Sequence, residues 1–217
     1  MNKNIQIISI EGNIGSGKST VVNSLKTYYS TEKIYFLEEP VTEWVQIKDN
    51  DGKNIIEKFY ANQEKYSFSF QMMAYISRLA MLKRAIQHCK ENNINMIICE
   101  RSLQTDKNVF CKMLYDTCKI EEVNYQIYLK WFDEFITEIP NIYFIYIKTT
   151  PIVTFDRILK RSRKGETMGL NYIISCSIYH DYWLIDNNEK NTIVIDGNGD
   201  YDETFNEAKA IINSFLN

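Results

Sequence analysis

Five short, nearly uninterrupted apolar runs constrain this chain more than any other feature: residues 5–10, 33–37, 95–99, 142–147 and 191–195, all rich in isoleucine. A strand with one wet face alternates apolar and polar residues. Runs this continuous predict strands buried on both faces, as in a parallel sheet. Between them lie helical patterns at 18–29, 63–91, 122–138, 151–163, 171–187 and 202–215. This alternation predicts an α/β fold, a five-stranded parallel sheet with helices on both faces, as one domain over residues 1–217. In such a sheet ligands gather beyond the carboxyl ends of the strands. The residues that follow each run therefore carry most of the functional information.

Composition narrows the function classes. No stretch approaches the ~18–20 consecutive apolar residues of a membrane span. The opening MNKNIQIISIEG runs directly into a strand, leaving no room for a signal or transit peptide. A net charge of -3 and a pI near 5.6 argue against a protein that coats nucleic acid. Five scattered cysteines, none in a CxxC, and only two histidines (His88 and His180) speak against a disulfide framework and a zinc site. A cytoplasmic protein with neither nucleic-acid nor membrane partners is expected. Of 25 cationic residues only six are arginine: Arg78, Arg84, Arg101, Arg157, Arg161 and Arg163. Where lysine is the default cation, an arginine marks a place that needs a forked, permanently charged donor.

Directly after the first run stands Gly12-Asn13-Ile14-Gly15-Ser16-Gly17-Lys18-Ser19-Thr20. It fits GxxxxGK followed by Ser or Thr, with a strand before it and a helical pattern after it. Three of the chain's eight glycines fall here. They allow successive backbone N–H groups to turn onto phosphate oxygens, and the following helix N-terminus adds partial positive charge. Lys18 is expected on the β/γ phosphates and Ser19 on Mg²⁺. A nucleoside triphosphate is the implied ligand.

The second run is followed by Glu38-Glu39-Pro40-Val41-Thr42-Glu43-Trp44, the third by Glu100-Arg101-Ser102 with Asp106 and Phe110 beyond. No base-reading NKxD follows any strand, so a GTPase is not indicated, and the DxxG at Asp49–Gly52 lies in a polar loop with no strand before it. A carboxylate and an arginine at neighbouring strand ends suit phosphoryl transfer to a small acceptor. The carboxylate takes a hydroxyl proton and the arginine holds developing phosphoryl charge.

These residues resemble the deoxyribonucleoside kinases of the deoxycytidine/deoxyguanosine kinase type, a group that includes insect multisubstrate and bacterial deoxyadenosine kinases. The resemblance spans nearly the whole chain. It rests on EGNIGSGKST (11–20), EEPVTEW (38–44), FYANQEKYSFSFQ (59–71), ERS with a following Asp (100–106), RILKRSRKGE (157–166), HDYWL (180–184) and DGNGDY (196–201), in the family's order. It implies a P-loop kinase fold with a short arginine-rich lid at about residues 157–167. The implied reaction converts ATP and a deoxyribonucleoside to ADP and the 5′-monophosphate, with Mg²⁺, in nucleotide salvage. The implied oligomer is a homodimer.

The resemblance also distributes roles. Glu39 is similar to the carboxylate on the 5′-hydroxyl and Arg101 to its partner. Glu100 is similar to the acidic residue near Mg²⁺ and competes with Glu39 as proton acceptor. Trp44, Phe70 and Phe110 resemble the aromatic walls of the nucleoside pocket, and Gln71 the amide that reads the base. Tyr60 and Glu166 resemble the pair on the 3′-hydroxyl. Arg157, Arg161 and Arg163 resemble the lid over the donor phosphates, and Asp200 and Tyr201 fall on the donor adenine side. Arg78 and Asp106 match the pair of the deoxycytidine, deoxyguanosine and deoxyadenosine kinases. A purine deoxynucleoside or deoxycytidine is therefore expected ahead of thymidine, with purines slightly favoured. Gln71 and Arg78, seven apart on one predicted helix, share a face.

Two departures stand out: the lid is one residue shorter than the family's, and Gly165 replaces the first of its paired carboxylates. Other readings of the same residues are a nucleoside monophosphate kinase, a nucleotide-switched regulatory P-loop module and, for the run Lys160–Lys164, a nuclear address.

Overall fold

All five expected strands form and all pair in parallel, in the order β2-β3-β1-β4-β5. They are β1 (Gln6–Glu11), β2 (Ile34–Leu37), β3 (Met96–Glu100), β4 (Ile142–Lys148) and β5 (Thr192–Asp196). The structure, a computed structural model, describes residues 5–29, 33–162 and 168–216. Arg163 and Glu166, both expected in the site, lie outside the described residues, as does Gly165.

Four strands run one residue further than their apolar runs, ending on Glu11, Glu100, Lys148 and Asp196. The ladder continues past the last hydrophobic residue, pairing Ile10 with Glu100 and Lys148 with Asp196. The polar tips of the strands are thus part of the sheet, held by its hydrogen bonds at the edge where ligands bind.

In chain order the helices are α1 (Lys18–Tyr28), α2 (Val41–Trp44), α3 (Ile55–Ala61), α4 (Gln63–Asn92), α5 (Leu103–Thr105), α6 (Lys112–Asp116), α7 (Glu122–Ile136), α8 (Pro151–Arg161), α9 (Leu170–Asp181) and α10 (Tyr201–Leu216). The chain between α5 and α6 is π-wound over Asp106–Cys111, and α9 runs on π-wound over Tyr182–Asp186. Alternation along β1 sends Ile7 to one side, against α4, α7 and α9, and Ile8 and Ile10 to the other, against α1 and α10. Both faces of the inner strands β1, β3 and β4 are covered; the edge strand β5 departs from the expectation, leaving Ile193 and Val194 exposed. No described helix is long and apolar enough to cross a membrane.

α3 and the 103–116 stretch are not among the sequence-predicted helices. For α3 the signal was present: Asn54 accepts from the Glu57 N–H at 3.0 Å and Glu57 accepts from the Asn54 N–H at 2.9 Å, a capping box. The thirty-residue α4 starts on Asn62, whose side chain accepts from Lys65, and stops at Asn93 in the left-handed region.

His180 sits wholly buried on α9, its ring stacked on Tyr146 and edge-on to Phe110. Its Nδ1–H donates to the Cys176 carbonyl at 2.7 Å, which places a proton on Nδ1. Burial lowers its pKa from 6.5 to about 3. The unfolded chain therefore takes up a proton that the folded chain refuses, and stability falls as pH drops from about 6.5 toward 3. Urea melts of the wild type and His180→Asn at pH 6.5 and 4.5 test this. The wild type is expected to lose about 2 kcal/mol more than the variant over that interval; parallel losses would show that His180 does not titrate on unfolding.

Candidate active site

A cavity of about 620 Å³ opens at the carboxyl edge of the sheet, where the strand order changes direction. At one end is the glycine loop between β1 and α1. Gly12, Gly15 and Gly17 have φ of 148°, 83° and 98°, the left-handed backbone that lets the loop wrap inward. A Cβ on Gly15 would come within 2.6 Å of the Thr154 carbonyl, so the loop nests directly against α8. Asn13 ties it to α9 through the Ile173 carbonyl at 2.9 Å, and Arg157 donates to the Ser16 carbonyl at 3.3 Å. Lys18 Nζ donates to the Asn13 carbonyl at 2.6 Å. Burial, with Arg101 nearby, lowers Lys18 to about 7, against the opposing pull of Glu100, Glu39 and Glu11. An anion at the loop would restore its charge.

Ser19 Oγ donates to Glu100 Oε1 at 2.7 Å. The expected metal pair is thus adjacent, a hydroxyl and a carboxylate at the first turn of α1. The described residues hold no group of three or more His, Cys, Asp or Glu able to chelate a metal. This donor set suits Mg²⁺ completed by phosphate oxygens and water rather than a metal caged by protein.

The other end is aromatic. Phe70 stacks on Phe59 with centroids 4.6 Å apart and meets Trp44 edge-on at 5.7 Å. Trp44 is fixed by its Nε1–H, which donates to Ser77 Oγ at 2.9 Å. Phe110 lies under the Arg101 guanidinium, 5.1 Å from ring centre to Cζ. Tyr60, Gln71 and Asp106 also line the cavity. Gln71 Oε1 is buried without a partner, as are Nε and Nη2 of Arg101. Buried polar groups are nearly always satisfied; these point to a ligand that supplies a donor at Gln71 and negative charge at Arg101.

Glu39 stands between the two ends. One oxygen, Oε1, accepts from Arg78 Nη2 at 3.0 Å and from Arg101 Nη1 at 2.9 Å. Burial alone would raise this carboxyl, but Arg101, Arg78 and Lys18 outweigh it and bring it to about 2. Arg78 also donates through Nε to Asp106 Oδ2 at 2.9 Å and through Nη1 to the Glu100 carbonyl at 3.0 Å. Burial raises the Asp106 carboxyl, with Arg78 pulling against it. Arg101 holds φ at 63°, a left-handed conformation rare outside Gly and Asn. Its N–H donates to the Ile10 carbonyl at 3.1 Å and its side chain is clamped by Glu39, which together hold the turn.

The family model for deoxynucleoside kinases matches residues 8–217. The chain belongs to the deoxynucleoside kinase family. It is 33% identical over 216 residues to a fowlpox virus protein named probable deoxycytidine kinase, covering 95% of this chain and 85% of that one. It is 31% identical over 199 residues to mouse deoxycytidine kinase (83% and 76% covered) and 28% identical over 239 residues to the human enzyme (98% and 91%). The five-stranded parallel sheet with its glycine loop is the P-loop kinase fold of that family.

The residues expected for a deoxynucleoside kinase converge with few exceptions. Ile14, Gly15, Gly17, Lys18, Ser19, Thr20, Glu39, Trp44, Tyr60, Phe70, Gln71, Arg78, Glu100, Arg101, Asp106, Phe110, Arg157 and Arg161 all line one cavity. Gly12, Asn13 and Ser16 sit in the loop behind it. Asp200 and Tyr201 do not line the cavity: Asp200 accepts from the Asp202 N–H at the start of α10, and the Tyr201 hydroxyl bonds Ser24 on α1. Tyr172, edge-on to Tyr60 at 6.4 Å, and Ser77 are additions that no motif announces. Ser77→Ala frees the Trp44 ring while leaving the reacting groups untouched. The deoxynucleoside KM is expected to rise about 2–10-fold, the worth of one hydrogen bond, with kcat unchanged. Steady-state kinetics would refute the role of Ser77 by showing a fall in kcat at constant KM.

Proposed function

We propose that this enzyme transfers the γ-phosphoryl group of ATP to the 5′-hydroxyl of a deoxyribonucleoside in nucleotide salvage. One observation carries the reading. Glu39, held by two guanidinium groups, separates a phosphate loop from an aromatic, amide-lined pocket within one cavity. A carboxylate near pKa 2 stays ionised at neutral pH. It accepts the hydroxyl proton only as the bond to phosphorus forms and the hydroxyl becomes acidic, which suits a loose phosphoryl transition state. Arg101 keeps two donors for the charge that gathers on the transferring oxygens. Glu100 faces Ser19 instead, so its carboxylate serves the donor side and Glu39 the acceptor side. Ser19 and Glu100 would hold Mg²⁺ together with the donor phosphates; when bound it supplies positive charge at the β and γ oxygens. Arg157 and Arg161 are the donor-side cations, and Arg163, outside the described residues, joins them in this reading.

A monophosphate acceptor would need cations in the aromatic half. Arg78 is already committed to Asp106, Glu39 and the Glu100 carbonyl. The five cysteines are free thiols, which fits the cytoplasm. Ile76 on α4, with Val123, Ile127 and Trp131 on α7, presents an exposed apolar face that a second copy of the chain would cover as a homodimer.

Glu39→Gln should lower kcat by about 10²–10⁴-fold while the deoxynucleoside Kd stays within a few-fold. Measured beside it, Glu100→Gln tests the assignment. Near-normal turnover of Glu39→Gln together with an altered pH profile of Glu100→Gln would move the proton acceptor to Glu100.

Base preference follows from the Arg78–Asp106 pair. With Oδ2 taken by Arg78, Asp106 has Oδ1 to accept from an exocyclic amino group, and Gln71 Oε1 is a second acceptor. Cytosine and adenine present such donors; thymine sets a carbonyl against the carboxylate. A mismatched polar group in a site built for hydrogen bonding costs on the order of several kcal/mol. Deoxycytidine or a purine deoxynucleoside is expected well ahead of thymidine. The relatives' names make deoxycytidine the first to try, ahead of the purines that the sequence slightly favoured. Replacing Arg78 with Met and Asp106 with Ala together should shift the kcat/KM ratio toward thymidine. Thymidine as the best substrate of the unmodified enzyme would sink this reading.

A further inference from the structure

Glu11, the last residue of β1, is fully buried and lies outside the cavity. Its position on the strand faces the same side as Ile7, where an aliphatic side chain would pack against the helices. A carboxylate there needs a reason, because burying one is unfavourable unless it is hydrogen-bonded. Its two oxygens are each taken by a hydroxyl. Ser9 Oγ donates to Oε1 at 2.7 Å and Thr105 Oγ1 donates to Oε2 at 2.5 Å, both in the range of charge-assisted O–H bonds. Ser9 belongs to the same strand. Thr105 comes from the other half of the site: it ends α5 and is bonded into the Ser102 cap, with Asp106 next in the chain and Phe110 one turn on.

Glu11 is followed by Gly12, where the phosphate loop begins. A Cβ on Gly12 would lie 2.8 Å from the Ile147 carbonyl, so the start of the loop has little space in which to move independently of the strand tips. The Glu11–Thr105 bond therefore joins the first residue before the phosphate loop to the residue before the base-reading carboxylate. The helix it grips is π-wound from Asp106 onward, a winding that recurs at functional sites.

We infer that Glu11 is a positioning residue which, through Thr105, couples occupancy of the nucleoside pocket to the set of the phosphate loop. Nucleoside binding that draws Asp106 and Phe110 onto the base moves Thr105 with them. The short bond carries that movement to the end of β1. Set so that the moved strand end favours the phosphate-bound loop, the coupling makes each substrate tighten the other, and linkage makes the two factors equal. The inference rests on the proposed deoxynucleoside kinase activity and adds to it a route between the two subsites.

Thr105→Val and Ser9→Ala form a matched pair, since each removes one hydroxyl donor from the same buried carboxylate and only the first cuts the link between subsites. Calorimetry gives the deoxycytidine Kd with and without a non-hydrolysable ATP analogue and Mg²⁺. The wild type should bind at least about fivefold tighter with the analogue present. Ser9→Ala should keep that ratio within twofold, Thr105→Val should bring it close to one, and Thr105→Ser should restore it. An unchanged ratio in folded Thr105→Val, an equal loss in Ser9→Ala, or a wild-type ratio of one overturns the inference. Should Thr105→Val fail to fold, Thr105→Ala takes its place. Failure of both beside a folded Ser9→Ala would show that the hydroxyl holds the fold and not the coupling. A wild-type protein that phosphorylates no deoxynucleoside would instead sink the proposed function, a result distinct from a working kinase whose variants leave the ratio unmoved.

Discussion

Two guanidinium groups at the carboxyl edge of this sheet converge on one shared carboxylate oxygen. Oε1 of Glu39 receives both Arg78 and Arg101, and Arg78 passes the chain of charge on to Asp106. The four residues come from the segment after β2, from α4, from the tip of β3 and from the π-wound stretch 106–111. Two cations and two carboxylates leave the group formally neutral. Such a network is tolerated in a buried setting only when each member keeps its partners, and removing one partner of a buried pair typically destabilises by about 3–5 kcal/mol. The same bonds leave two nitrogens of Arg101 buried without a partner among the described residues. Fold and chemistry thus draw on one set of contacts.

The two strand-tip glutamates show how position divides similar groups. Glu39 follows β2 and Glu100 ends β3, its neighbour in the sheet. Glu100 meets a hydroxyl at the first turn of α1, on the phosphate side, and its backbone carbonyl holds Arg78. Glu39 bonds two guanidinium groups, which with Lys18 nearby hold its carboxyl well below the usual range. A single Arg78 touches the backbone of one and the carboxylate of the other, so the spacing between the two glutamates is set by one rigid fork.

Much of this was legible before any coordinates. Isoleucine runs marked the inner strands because burial on both faces leaves no alternation to misread; β5 has the same kind of run although Ile193 and Val194 stay exposed. The runs ended one residue early because hydropathy does not register the polar tips that the ladder still holds, Glu11 and Glu100 among them. The stretch 103–116 was missed for a related reason: the π turn at Asp106–Cys111 inserts a residue into the repeat, so Leu103, Val109 and Met113 do not follow a 3.6 period. The cavity-lining residues were legible where they lie in contiguous motifs. Ser77, Tyr172 and the Ser9–Glu11–Thr105 contacts were not, because each acts across a sequence separation that no pattern fixes. The left-handed turn at Arg101 carries no signal either, since Gly or Asn is what such a turn usually shows. Asp200 and Tyr201 fall in a family-like string, yet their contacts are with the start of α10 and with α1.

The arginine count carries the argument one step further. The chain holds nineteen lysines and six arginines. Of the five described arginines, Arg78, Arg101, Arg157 and Arg161 line the cavity, whereas Lys18 is the only described lysine that does. Arg78 makes three directed bonds to three different groups, which a lysine ammonium on a flexible stem would not hold in one plane. Lys18 has a different task, a point charge at the phosphate loop, and there the softer pKa of an ammonium is tolerable because the ligand itself brings the opposing charge. Guanidinium is thus used in the cavity where geometry must be fixed without a ligand, and ammonium where the ligand fixes it.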